Sequence, residues 1–132
     1  MPDEEKKPIL LVVEDDYDSQ KFLQLFLRRE FTVEVCDSSE TFYAILEDHK
    51  IDIILMDISL RGTKNGLELT AELKNDENFK NIPVVILTAH AFHKDKENAY
   101  KAGVDAFLTK PVQNDLLMST LIKILKNNNS KD

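Results

Sequence analysis

The sequence predicts an α/β fold in which a five-stranded parallel sheet carries helices on both faces. Five short segments that are apolar or alternate between polar and apolar residues are separated along the chain by segments with the pattern of amphipathic helices. Strands and helices that alternate in this way form parallel sheets joined by right-handed crossovers. A chain of 132 residues provides for one domain and one core. We therefore expect a doubly wound, three-layer sandwich with strand order 2-1-3-4-5.

The first half of the chain supplies three of the predicted strands and two of the helices. The predicted strands are residues 9–13, 32–36 and 51–57. The second of them alternates between polar and apolar residues, which is typical of a strand near a sheet edge. A helix over residues 16–29 follows from Phe22, Leu23, Phe26 and Leu27, with Asp16 or Asp18 as its cap. The next helix begins after the capping residues 37–40.

The second half begins with a polar loop over residues 59–65 and a helix that runs from Gly66 to about residue 76. Two further strands are predicted at residues 83–88 and 105–108, and two further helices at 91–102 and 113–126. Gly103 stands where a helix should stop. The ends are polar, so residues 1–8 are expected to form a flexible arm and residues 127–132 a tail, which leaves residues 9–126 as the domain.

Composition narrows the functional classes. Hydrophobic residues make up 42% and charged residues 31% of the chain, which predicts a folded protein. The net charge of −7 argues against direct binding of nucleic acid or of a membrane surface. One cysteine, Cys36, allows no internal disulfide and is expected to be buried as a small apolar residue. No leader or membrane-spanning run is evident, so a cytoplasmic location is expected.

The residue at the carboxyl end of the central apolar run is Asp57, and that end of a parallel strand is where open α/β proteins place their ligands. By itself Asp57 could equally cap a turn. Three other predicted strand ends also carry polar groups, and these are Glu14-Asp15-Asp16, Thr88 and Lys110. Adjacent carboxylates repel one another unless a cation intervenes, and oxygen ligands of this kind suit Mg2+. Such a site fits phosphoryl transfer, in which a carboxylate can itself be the nucleophile.

Four segments in order carry a family resemblance over roughly residues 9–126. They are residues 11–16 (LVVEDD), 54–57 (ILMD), 85–89 (VILTA) and 102–111 (AGVDAFLTKP). Together they resemble the receiver domain of two-component response regulators, which has a flavodoxin-like fold. The resemblance implies that Asp57 accepts a phosphoryl group. The implied Mg2+ ligands are Asp15, Asp57, the backbone carbonyl of Ser59 and, through water, Glu14.

The resemblance also assigns the phosphate contacts and a switch. Thr88 matches the hydroxyl residue that bonds a phosphoryl oxygen, and Lys110 matches the lysine that pairs with the phosphate, next to a cis bond to Pro111. Phe107 matches the aromatic switch residue, whose ring turns inward when Thr88 moves toward the phosphate. Many relatives have tyrosine there, and phenylalanine lacks its hydroxyl.

The segment after Asp57 departs from the family pattern. Arg61 stands where relatives commonly have proline, and the glycine that opens the third helix, Gly66, is one residue late. We therefore expect an unusual path for this loop. Ser59 and His90 occupy the two variable positions that tune the lifetime of the phosphoaspartate in the family. His90 is predicted to lie near the phosphoryl pocket and to alter autodephosphorylation.

The resulting prediction is a phospho-accepting receiver rather than an enzyme. The donor would be a sensor histidine kinase or a histidine phosphotransfer protein. The face formed by the fourth helix, fifth strand and fifth helix would signal to a downstream protein whose identity the sequence does not give. The chain would be a free-standing regulator or phosphorelay shuttle, or else a receiver module of a hybrid histidine kinase or larger regulator.

Two other classes are less favoured. A Mg2+-dependent phosphohydrolase commonly has a second acid two residues after its nucleophile, where this chain has Ser59. A flavin-binding module of similar topology would place a phosphate after the first strand, where three acids would repel it.

Overall fold

A computed structural model describes residues 6–89 and 92–129. In this part of the chain, five parallel strands form one sheet in the order 2-1-3-4-5, which confirms the predicted fold class. The strands are β1 (Ile9–Val13), β2 (Thr32–Cys36), β3 (Ile53–Met56), β4 (Val84–Thr88) and β5 (Ala106–Thr109). The bounds of β1 and β2 are those predicted, and β2 lies at an edge of the sheet as expected.

Five helices connect and follow the strands. They are α1 (Tyr17–Leu27), α2 (Ser39–Asp48), α3 (Gly66–Lys74), α4 (His93–Ala102) and α5 (Asn114–Asn129). Asp16 caps α1 by accepting a hydrogen bond from the Ser19 N–H, and Ser38 and Asn65 cap α2 and α3 in the same way. No helix among the described residues combines the length and apolar character that crossing a membrane requires.

Several predicted ends differ from the structure. The helix α5 extends to Asn129, so the first three residues of the predicted polar tail are helical. Polarity indicated the tail, but asparagine is tolerated in the last turn of a helix that is already formed. The strand β3 is shorter than the apolar run. The strand β5 begins at Ala106, one residue after Asp105, whose N–H donates to the Val84 carbonyl and whose side chain accepts from the Val84 N–H. The predicted start of α4 at residue 91 lies outside the described residues.

The sheet separates two apolar layers. On one face, alternate residues of the central strands pack with α2, α3 and α4 around Phe42, Leu69 and Ala99. On the other face, the remaining strand residues pack with α1 and α5 around Leu27, Leu117 and Leu121. Because β1, β3 and β4 are covered on both sides, every residue of β3 and β4 is buried. Polar groups at the ends of these strands are therefore placed by a rigid scaffold.

Candidate functional site

Polar side chains converge where the parallel strands end. In the sheet register Val13 is paired with Met56, so Glu14 and Asp57 follow paired residues of neighbouring strands. The Asp57 N–H donates to the Val13 carbonyl at 3.0 Å, which fixes the backbone at this point. Thr88 is the last residue of β4, and Lys110 directly follows β5. The structure thus brings Glu14, Asp57, Thr88 and Lys110 together.

The Asp57 carboxylate is 8% exposed and is held by three donors. Its Oδ1 accepts hydrogen bonds from the Thr88 hydroxyl at 2.8 Å and from the Ser59 N–H at 3.2 Å. Its Oδ2 lies 3.2 Å from Lys110 Nζ. Thr88 is fully buried, so its hydroxyl is held inside the protein rather than in solvent. A carboxylate fixed in this way is preorganised for reaction through one of its oxygens.

Lys110 joins Asp57 to a second buried acid. Its Nζ lies 2.6 Å from Oε1 of Glu14, a residue that is only 3% exposed. The other oxygen of Glu14 accepts a hydrogen bond from the Asp16 N–H at 3.0 Å. Both oxygens of Glu14 are therefore engaged by groups of the chain itself. The cis peptide bond between Lys110 and Pro111, implied by the family resemblance, is present.

The pKa values of this pair are shifted by burial and by the pairing. Burial raises the pKa of Glu14 above its ordinary value, and the hydrogen bonds from Lys110 and Asp16 offset burial only in part. Burial alone would lower the pKa of Lys110, but its hydrogen bond with Glu14 and the charges of Asp57 and Glu14 outweigh that effect and raise it. Lys110 is therefore a permanent cation between two carboxyl groups.

The loop after Asp57 returns to its starting point at Gly66. The Gly66 N–H donates to the Ile58 carbonyl at 2.8 Å. A Cβ atom at Gly66 would overlap the carbonyl oxygen of Asp57 and would lie 3.0 Å from the Asp57 carbonyl carbon. Only glycine fits here without moving the backbone of Asp57. This contact, which the sequence pattern did not indicate, explains why position 66 is glycine.

Phe107 lies next to the site on the neighbouring strand. It is paired with Ile86, two residues before Thr88, and Thr88 itself is paired with Thr109. Phe107 is half-buried and packs against the layer that contains α4. It also lines a cleft of about 540 Å³ together with His93 and Lys96 of α4. The position of Phe107 thus connects the strand that carries Thr88 with the surface between β5 and α4.

The candidate metal ligands are oxygen groups in the two turns that follow β1 and β3. Asp15 is half-buried beside Glu14, and Ser59 is exposed two residues after Asp57. Within residues 6–89 and 92–129, no group of three or more His, Cys, Asp or Glu side chains is arranged to hold a metal ion. A Mg2+ ion needs fewer protein carboxylates than that, because it retains several waters and is usually bound by one or two of them. The oxygen donors present are of the type that Mg2+ prefers.

His90 and Arg61 are two further residues singled out from the sequence, and the structure describes only Arg61. His90, the predicted lifetime-tuning residue, lies outside the described residues. Arg61 is exposed, and its backbone forms a single parallel β-bridge with Ser38 at the start of α2. This attachment of the loop to the residue before α2 was not found from the sequence, and the unusual path of the loop stays a prediction.

Cys36, predicted to be a small buried residue, is 4% exposed at the end of β2. Burial raises the pKa of its thiol to about 12, so it has little thiolate character at neutral pH.

Comparison with known proteins identifies the same family that the sequence resembles. The family model for the response regulator receiver domain matches residues 10–122. The heme response regulator HssR of Staphylococcus saprophyticus is 37% identical over 120 residues, which are 90% of this chain and 52% of that protein. The polar-differentiation response regulator DivK of Brucella ovis is 30% identical over 115 residues, which are 87% of this chain and 93% of that protein. The chain therefore spans about half the length of HssR and nearly all of DivK.

A solved structure also matches over most of both chains. The receiver domain of the sensor histidine kinase PA1611 from Pseudomonas aeruginosa, with a magnesium ion coordinated in its active site cleft, has a TM-score of 0.82. It is 29% identical in sequence, and the match covers 91% of this chain and 98% of that chain.

Proposed function

This chain belongs to the response regulator receiver domain family, and from that premise we propose that it accepts a phosphoryl group on Asp57. The observation that carries the proposal is the geometry around this carboxylate. It stands at the end of β3, it is nearly buried, and it receives the Thr88 hydroxyl at 2.8 Å and the Lys110 ammonium at 3.2 Å. These are a nucleophile and two donors suited to phosphoryl oxygens.

In the proposed reaction, one Asp57 oxygen attacks the phosphorus of a phosphohistidine. The P–N bond breaks, its electron pair remains on the imidazole nitrogen, and an acyl phosphate forms on Asp57. Lys110 balances part of the charge that the incoming phosphoryl group adds beside Glu14 and Asp57. Thr88 can transfer its hydrogen bond from the carboxylate to a phosphoryl oxygen, since both lie within reach of one hydroxyl.

We propose Mg2+ as the cofactor, held by Asp15, Asp57 and the backbone carbonyl of Ser59, with Glu14 acting through water. Two buried acids, Glu14 and Asp57, share the single ammonium of Lys110, and Asp15 follows Glu14 in the chain, so negative charge remains after Lys110 is paired. When bound, Mg2+ would supply the neutralisation that both the carboxylates and the phosphoryl oxygens require. Because Lys110 and the Asp16 N–H already occupy both Glu14 oxygens, an indirect role for Glu14 fits better than direct ligation.

The proposed signal starts when Thr88 moves toward the phosphoryl group. This movement would vacate space next to β5, and Phe107 would turn inward to fill it. Phosphorylation would then shift an equilibrium between two arrangements of the surface formed by α4, β5 and α5. The half-buried position of Phe107 beside Ile86, at the cleft next to α4, supports this route.

The proposed donor is a sensor histidine kinase or a histidine phosphotransfer protein, and the target is a downstream protein. One candidate is a free-standing regulator or phosphorelay shuttle, and the response regulator DivK is among the relatives that the chain resembles. The match to a receiver domain of a sensor histidine kinase favours the second candidate, a receiver module of a hybrid kinase. Phosphotransfer from an isolated kinase core, compared with transfer from a phosphotransfer protein, would separate these two candidates.

The first experiment is incubation with phosphoramidate, whose P–N bond resembles that of phosphohistidine, in the presence of Mg2+. We expect one acid-stable, base-labile phosphoryl group per chain, which should be absent in Asp57→Asn and after chelation of the metal. Continued release of phosphate from a phosphoester, with no stoichiometric adduct, would favour a phosphohydrolase instead. The lifetime roles of Ser59 and His90 stay predictions, and the decay rate of the acyl phosphate in His90→Ala tests the second of them.

A further inference from the structure

The loop between Asp57 and Gly66 carries Ser59, and it is closed at its base. The Gly66 N–H donates to the Ile58 carbonyl, and the Cα of Gly66 lies against the carbonyl group of Asp57. Closure at the base alone leaves the middle of the loop, residues 60–64, to be held by other parts of the protein. Leu60 packs against the core, Arg61 is bridged to Ser38 just before α2, and residues 62 to 64 have contacts with α2 or α3.

The middle of the loop rests on the first turn of α2. A single β-bridge joins the backbones of Arg61 and Ser38. Gly62 has a φ of +100°, which favours glycine, and a Cβ atom there would lie 2.6 Å from Oε1 of Glu40 and 2.8 Å from Oγ of Ser39. The Cα of Gly62 is therefore packed directly against the carboxylate of Glu40. The Thr63 hydroxyl lies 3.4 Å from the other oxygen of the same carboxylate.

Glu40 thus contacts two consecutive residues of the loop with its two oxygens. Its position in the first turn of α2 is fixed by the capping box of Ser38 and Thr41. Hydrogen bonds from its own N–H and from neighbouring groups, including Thr63, hold the pKa of Glu40 below its ordinary value. The carboxylate therefore accepts hydrogen bonds in its ionised form at neutral pH.

A second attachment lies further along the loop. The Lys64 ammonium pairs with Glu72 of α3, and the Tyr43 hydroxyl of α2 donates to the same carboxylate. The ammonium also lies 5.9 Å from the centre of the Tyr43 ring. This attachment holds the end of the loop that leads into α3. Glu40 contacts the middle of the loop, which is nearer to Ser59.

We propose that Glu40 is a positioning residue for phosphorylation of Asp57, because it holds the loop that presents Ser59 to the reacting carboxylate. The inference rests on the proposed function and adds to it a residue outside the acidic site. Ser59 donates to Oδ1 of Asp57 from the segment between the closed base and the part of the loop that Glu40 holds. Without Glu40, Gly62 and Thr63 lose their contact with α2, and the flank that follows Ser59 keeps only the packing of Leu60 and the bridge of Arg61 to Ser38.

The test uses the full chain and three variants. Glu40→Ala removes both acceptor oxygens, Glu40→Gln keeps one acceptor oxygen without the charge, and Glu47→Ala removes an exposed carboxylate from the last part of the same helix. For Glu40→Ala we expect the rate of phosphorylation by phosphoramidate to fall roughly three- to tenfold, because small displacements of reacting groups reduce rates sharply. Glu40→Gln should recover most of that loss, and Glu47→Ala should react like the original chain.

The second readout does not depend on phosphorylation or on metal. In the metal-free protein, amide hydrogen exchange at residues 59, 62 and 63 should be faster in Glu40→Ala than in the original chain or in Glu47→Ala. Urea unfolding should show that every variant is folded under the conditions of the assay. The inference would be overturned if Glu40→Ala were phosphorylated as fast as the original chain, or if Glu47→Ala lost as much of the phosphorylation rate as Glu40→Ala. A slower rate with unchanged exchange in the loop would also overturn it.

The two proposals fail in different ways. If the original chain is not phosphorylated at all, the proposed function is wrong, whatever the exchange data show. If the original chain is phosphorylated and Glu40→Ala is phosphorylated equally fast, only the role of Glu40 is wrong.

Discussion

The contact between Gly66 and the Asp57 carbonyl predicts that replacing this glycine by alanine lowers the free energy of unfolding, which is the opposite of the usual effect in a helix. Glycine to alanine within a helix ordinarily stabilises a protein by about 0.5–1 kcal/mol, because glycine loses more backbone freedom on folding. Gly66 is the first residue of α3, and its φ is not positive, so the backbone conformation itself would accept alanine. We expect Gly66→Ala to destabilise the protein nevertheless.

The magnitude follows from the distances. The new Cβ would lie 3.0 Å from both the Asp57 carbonyl carbon and the Ile58 Cα, and it would overlap the Asp57 oxygen. Non-bonded carbon atoms prefer about 3.5–4.0 Å, so the start of α3 or the peptide after Asp57 has to move by roughly 0.5–1 Å. Overpacking of this kind costs about 1–3 kcal/mol, which exceeds the gain in backbone entropy. A displaced Asp57 should also be phosphorylated more slowly, by roughly 10- to 100-fold.

The assay combines urea unfolding with the rate of phosphorylation by phosphoramidate. Leu69→Ala is the matched control, because Leu69 is fully buried in the same helix and its truncation should cost about 2–5 kcal/mol. We expect Leu69→Ala to lose stability but to keep the rate of phosphorylation of its folded fraction. An unchanged or increased free energy of unfolding in Gly66→Ala would refute the reasoning. So would equal rates of phosphorylation in the two variants.

Three further predictions concern the site and the core. Lys110→Gln should lower the free energy of unfolding by about 1–3 kcal/mol at neutral pH, because Glu14 stays buried without its cation, and equal urea midpoints would contradict this. Thr88→Val should slow phosphorylation by roughly tenfold or more and abolish the phosphorylation-dependent NMR shift of the Phe107 ring, whereas a retained shift would exclude the proposed route. Stability should fall as pH rises from about 8.5 toward 12, because over this range the unfolded chain has lost the Cys36 proton and the folded chain keeps it. In Cys36→Ala this part of the fall should be absent, and an identical pH profile would contradict the burial of the thiol.

The sequence predicted the centre of the sheet well because β1, β3 and β4 are buried on both faces. Runs such as residues 9–13 can be placed only as core strands, and their ends coincide with the change to polar residues. Helix ends were less well predicted, because solvated residues do not distinguish a continuing helix from a tail. The last turn of α5, at residues 127–129, is the main example.

The site was predicted in part for the same reason. The positions of Asp57, Thr88 and Lys110 follow from the strands that precede them, so alternation along the sequence was sufficient to bring them to one edge. The contacts of the loop after Asp57 were not predictable in this way. They depend on how residues 58–65 fold back onto α2, and no periodic pattern encodes that path. The ion pair of Lys110 with Glu14 was likewise missed, because the sequence does not show how deeply Glu14 is buried.

The most direct test of the account is to locate the phosphoryl group in a chain labelled by a phosphohistidine donor. Borohydride reduction converts an aspartyl phosphate to homoserine, which peptide mass spectrometry can assign to one position. We predict that homoserine will be found at residue 57 alone, only when Mg2+ is present, and at a strongly reduced level in Lys110→Gln. Homoserine at another aspartate, or an unmodified residue 57 after complete transfer from the donor, would contradict the account.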